Sequence, residues 1–202
     1  MKTRMLIIMA TLVASIGVSR ADIIDYNLAD DGDGVITCST PYGLEQMGPG
    51  SYQLSIYGDH NIWGSGHIAG YFTTDTPTDP TLALSHSIDN DTAFDWGDYH
   101  VKVTMSQMFS FSNVNVSNSG WWSSVTAPTM VGSDWIGYID YYSGTPVLIG
   151  GTLDFGFSVS FAGSVSFAEE LTPSAVVPEP STFALMAVGL AGLFIRCRRV
   201  AS

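Results

Sequence analysis

Between Leu153 and Phe161 every second residue is large and apolar: Leu153, Phe155, Phe157, Val159 and Phe161 alternate with Asp154, Gly156, Ser158 and Ser160. A period of two is the signature of a β-strand with one face in a core and the other toward solvent. Past Gly163 the odd positions resume at Val165 and Phe167. This predicts either one long strand kinked at the glycine or two strands joined by a tight bend. Residues 99–106 repeat the pattern: Tyr99, Val101, Val103 and Met105 face one way, His100, Lys102, Thr104 and Ser106 the other. Weaker alternation marks strands at 22–28, 51–57, 67–73, 81–87, 109–116 and 135–142, and a short extended piece beginning at Trp121. Turns rich in Gly, Asp, Asn and Pro separate them, at 29–36, 58–61, 75–80, 89–92, 95–98, 144–146 and 150–151. No comparable helical stretch lies between residues 22 and 176. Eight to ten short strands with turns between them predict an antiparallel β-sandwich, jelly-roll or immunoglobulin-like, with a β-barrel as the alternative. The sandwich is expected over residues 22–168, followed by a linker at 169–176.

Both ends of the chain differ from this domain. Lys2 and Arg4 precede an apolar stretch at 5–18, and Ser19-Arg20-Ala21 puts small residues at −3 and −1 of a cleavage point after Ala21. That is the layout of a Sec-type secretory signal peptide over residues 1–21. At the other end Val177-Pro178-Glu179-Pro180 is followed by residues 182–195 without a charged side chain, then by Arg196, Arg198 and Arg199. The apolar run is expected to be helical in lipid, where a helix satisfies its own backbone groups. Fourteen residues at about 1.5 Å each reach roughly 21 Å, a marginal transmembrane span that snorkelling arginines can extend. The arginines would stay on the cytoplasmic side of the inner membrane.

This three-part tail resembles the PEP-CTERM protein-sorting signal of exported bacterial proteins, on Pro178-Glu179-Pro180, the apolar run and the basic cluster. The resemblance covers the tail alone, residues 177–202, and implies nothing about the fold in front of it. It implies recognition at Pro178, Glu179 and Pro180 by a membrane-embedded exosortase, removal of a temporary anchor, and delivery to the cell surface or extracellular matrix. Such systems usually accompany exopolysaccharide production, which makes exopolysaccharide the expected associate.

Charge narrows the partners further. Between the two ends, residues 22–177 hold eighteen acidic side chains against Lys102 alone, a formal charge of −17, where the whole chain carries −12. Nucleic acid, which needs a basic surface, is excluded. With no arginine between Ala21 and Arg196, bidentate gripping of phosphate or carboxylate is excluded as well. Cys38 stands apart from Cys197 in the tail, so no disulfide framework is expected and Cys38 reads as a buried small residue.

Candidate chemistry is sparse. Asp31-Gly32-Asp33-Gly34-Val35-Ile36 resembles part of a calcium loop, with Asp31 and Asp33 as the ligand candidates. Ala29 stands where the first ligand belongs and Thr40 where a bidentate Glu does, so an Asp/Gly turn is the preferred expectation. Asp59, His60 and His67 fit no metal-ligand spacing and read as surface turn residues. No nucleophile elbow, phosphate loop or zinc motif occurs, so neither a catalytic set nor a cofactor is expected. Of the aromatic residues, Trp121-Trp122 stands out: adjacent strand residues point to opposite faces, so one is expected outside, as a platform for a sugar ring. The expected function is that of an exported, non-enzymatic surface or matrix protein associated with exopolysaccharide. The alternative is a secreted hydrolase or lyase acting on polysaccharide.

Overall fold

The computed structural model describes residues 21–39 and 43–176. The expected signal peptide up to Arg20 and the tail from Val177 lie outside the described residues, as does Thr40. Twelve strands are present among the described residues, and no helix. They are β1 (Ile23–Asp30), β2 (Ile36–Cys38), β3 (Leu44–Gly48), β4 (Ser51–His60), β5 (Gly66–Thr74), β6 (Thr81–Asn90), β7 (Trp96–Met105), β8 (Phe109–Val116), β9 (Trp122–Val131), β10 (Asp134–Tyr142), β11 (Thr152–Phe161) and β12 (Val165–Ala175). One sheet has the order β1-β5-β12-β7-β10-β9, called sheet A here. The other, sheet B, has the order β2-β4-β6-β11-β8, with β3 also paired to β4. Every pairing is antiparallel except that of β4 with β6. The sheets do not close on each other, so the fold is the expected sandwich and not the barrel.

The alternation explains the packing. Tyr99, Val101, Val103 and Met105 of β7 are buried, as are Leu153, Phe155, Phe157, Val159 and Phe161 of β11. Phe72 lies between Phe161 and Phe167, at ring separations of 6.0 and 5.5 Å. Each such ring contributes about 1.5–3 kcal/mol through burial alone. At Gly163, with φ of 69°, the chain leaves sheet B and enters sheet A. The glycine therefore marks a bend between two strands, and the left-handed backbone there explains why the residue is Gly.

Four expectations are corrected. The strands number twelve among the described residues, because β2 and β3 are too short to show a period. Residues 169–175 are not a linker: they complete β12, the longest strand, which pairs with β5 on one side and β7 on the other. Glu169 at an inward position hid the alternation of Phe167, Leu171 and Pro173. Pro173 is tolerated in an interior strand because the pairing with β5 ends at Leu171. His60 is no surface turn residue. It ends β4 fully buried beside Trp96 and Tyr99, and Trp96, read as part of a turn, opens β7 in the core. Cys38 is buried, as expected.

Candidate functional site

The outward face of sheet B holds a trough along β11. In-register rows set Tyr57, Ser87 and Asp154 side by side, then Ser55, Ser85, Gly156 and Asn115, then Gln53, Ala83 and Ser158. Two adjoining hollows of about 310 and 270 Å³ share Ser85 and Asn115 in their walls. The floor is low because its residues are small. A Cβ at Gly156 would stand 2.9 Å from the Leu84 carbonyl oxygen and 3.5 Å from the Asn115 side chain. The β8 wall is shaped by a bulge: the register skips between Gly156 and Ser158, and Asn113 takes a φ of 51°. Bulges of this kind re-aim side chains. Here Asn113 donates to Ser158 Oγ at 3.4 Å and Asn115 donates to the Asn113 carbonyl at 2.9 Å. Ser87 donates to Asp154 Oδ1 at 2.7 Å, and the exposed Tyr57 ring forms the opposite rim. The trough thus presents hydroxyls, amides, one carboxylate and one aromatic face, with the edge of His86 in its lining and neither lysine nor arginine.

On the outward face of sheet A the two tryptophans separate as expected. Trp121 is 7% exposed and donates through Nε1 to the Thr145 carbonyl at 2.7 Å, so it carries no platform. Trp122 is 68% exposed and faces Tyr142 across the β9–β10 pair, with Tyr138 further along. Beside them Asp140 Oδ1 lies 2.7 Å from His100 Nδ1, and His100 Nε2 lies 3.1 Å from Ser174 Oγ. Lys102 donates to Glu170 at 2.8 Å, which raises the pKa of the ammonium and lowers that of the carboxyl.

Asp31 and Asp33 meet where β1 turns into β2. Asp31 Oδ1 accepts from the Asp33 N–H, and Asp33 Oδ1 from the Val35 N–H. The register of β1 on β5 brings in His67, whose Nδ1 lies 3.2 Å from Asp31 Oδ2. The Asp33 backbone N–H, with His67 as a smaller contributor, holds the Asp31 carboxyl below its ordinary range. Ligand atoms of Asp31, Asp33 and His67 all lie within 4.8 Å of one another. Sequence spacing separated His67 from these acids, and only the strand pairing joins them. Asp59 and His60 do not take part: His60 Nε2 donates to the Gly64 carbonyl at 3.1 Å, and burial lowers its pKa.

The last strand ends at Ala175, and Val176 donates its N–H to the Asp95 carbonyl at 2.9 Å. The residues of the sorting signal follow without an intervening spacer. No curated protein and no solved structure matches the chain. Residues 176–199 match the PEP-CTERM protein-sorting motif, so the chain carries the tail of an exported protein sorted by an exosortase.

Proposed function

We propose that this is a non-enzymatic protein of the cell surface or extracellular matrix that holds exopolysaccharide in the trough of sheet B. The carrying observation is the trough itself. An elongated groove of hydroxyls and amides with an aromatic rim matches the alternating hydroxyls and C–H faces of a sugar chain. The absence of lysine and arginine from its lining favours a neutral or weakly charged polymer, since the domain's acidity repels an anionic one. Its lining holds a single carboxylate, Asp154, whereas glycoside hydrolysis works through a pair. Export is by the Sec-type signal, the anchoring in the inner membrane is temporary, and the exosortase is a transient partner. The exposed Trp122–Tyr142 pair is a second sugar contact on the opposite sheet. In a pull-down with the cells' own exopolysaccharide, the wild type is retained, Tyr57→Ala and Asn115→Ala lose most retention, and Trp122→Ala loses less. Equal retention of all four would sink the trough as the site.

One observation favours a second reading, a hydrolase. Asp140, His100 and Ser174 are bonded in the order carboxylate, imidazole, hydroxyl, the connectivity that activates a serine nucleophile. Their strands, β10, β7 and β12, are neighbours in sheet A. Hydrolysis of p-nitrophenyl acetate that disappears in Ser174→Ala would establish this reading; equal rates in both proteins would dismiss it. For the Asp31, Asp33 and His67 group, the imidazole suits a transition metal better than calcium. A melting temperature raised more by zinc than by calcium, and restored by chelator, would support an ion there; no shift with either would leave a plain turn.

A further inference from the structure

The loops at the end where β12 terminates expose apolar side chains. Trp63 is 64% exposed, and Ile62 beside it is exposed too, between β4 and β5. Leu148 and Ile149, between β10 and β11, are 62% and 58% exposed. Hydrogen bonds and ring contacts make one surface of these tips. Trp63 packs on Phe94 with ring centroids 4.6 Å apart. The next residue, Asp95, accepts from the Ile149 N–H through its side chain at 3.1 Å and from the Val176 N–H through its carbonyl at 2.9 Å. Val176, itself exposed, is the point from which the chain runs into Pro178-Glu179-Pro180 and the apolar run at 182–195.

We infer that this end of the sandwich is a membrane-docking surface, with Ile62, Trp63, Leu148 and Ile149 seated in the interface of a zwitterionic bilayer. The inference rests on the reading of the tail as a membrane anchor. Six residue steps from Val176 to Thr182 span at most about 22 Å when fully extended. Whenever the apolar run is in the bilayer, Val176, hydrogen-bonded to Asp95 beside these loop tips, is therefore held within that distance of the headgroups. A tryptophan with neighbouring Ile and Leu is the composition that partitions into the interface. The acids of the same end, Asp31, Asp33, Asp91 and Asp95, oppose an anionic surface, so contact is apolar and not electrostatic. Docking would orient the sandwich with the tail pressed against lipid and the trough of sheet B standing clear to the side.

The test uses the full chain in phosphatidylcholine vesicles, with and without brominated acyl chains that quench nearby indoles. Bromolipid quenches the wild-type fluorescence, Trp63→Phe loses most of that quenching, and Leu148→Asp with Ile149→Asp reduces it while Trp63 is still present. Quenching is insensitive to salt and weaker when anionic lipid is added. Vesicle association with the same quenching in wild type and Trp63→Phe would overturn the docking surface and leave the anchor intact. If the full chain does not associate with vesicles at all, the anchor reading fails and the docking surface with it.

Discussion

Glu169 and His86 join the two sheets from within the core. Glu169 Oε2 and His86 Nε2 lie 3.0 Å apart, both side chains fully buried, and the imidazole stacks on Phe155 at 4.5 Å. Removing one partner of a buried pair strands the other in an apolar setting, so Glu169→Ala is expected to cost about 3–5 kcal/mol in denaturant unfolding. Replacing both with Leu is expected to recover most of that loss; a double variant as unstable as the single one would argue against the pair as the cause. His60 supplies a pH dependence. Burial lowers its pKa below the ordinary 6.5, so in the acid range the unfolded chain binds a proton that the folded one refuses. Stability therefore falls as pH drops through about 6.5 toward the folded-state pKa. Melts at pH 7.5 and 5.5 should show a larger loss for the wild type than for His60→Phe. His86 was legible as alternating in step with Leu82 and Leu84, but neither histidine's role was, because Glu169 and Tyr99 approach them from strands distant in the chain.

Among the elements, β12 bears most on function. Its interior place in sheet A means that the domain is complete only at Ala175, immediately before the sorting signal. Truncation after Val176 is expected to leave a folded protein, and truncation after Ala168 an unfolded one, by circular dichroism and thermal melting. Two folded fragments would restore residues 169–176 to the role of linker. Strands with regular alternation, such as β7 and β11, were legible within a few residues. Strands ended later than the turn residues suggested, since Gly58, Asp59, Asp89 and Asn90 all continue β4 and β6. Asp and Asn near strand ends mimic turns when their side chains reach outward or, like Asn90, bond to loop carbonyls. The bulge in β8 that shapes the trough leaves no mark in the sequence beyond a break between Phe111 and Val114. The trough itself arises from residues on four strands and was not legible at all.

At the scale of the molecule, an acidic sandwich with one lysine precedes the matched sorting tail. The matched tail states its route, and the proposed docking surface would set one end of the sandwich toward lipid and leave the sheet faces open. The tail was fully legible because its three parts are contiguous in the chain. The proposed glycan contacts were only partly so: the exposure of one of the two tryptophans followed from strand alternation, whereas the trough required cross-strand register. Binding of exopolysaccharide in the proposed trough is tested by isothermal titration of the cells' purified exopolysaccharide into the wild-type protein and Asn115→Ala. Saturable heat is expected for the wild type, with at least a tenfold loss of affinity, about 1.4 kcal/mol, for the variant. Saturable binding of equal strength in both, or none in either, would contradict the proposal.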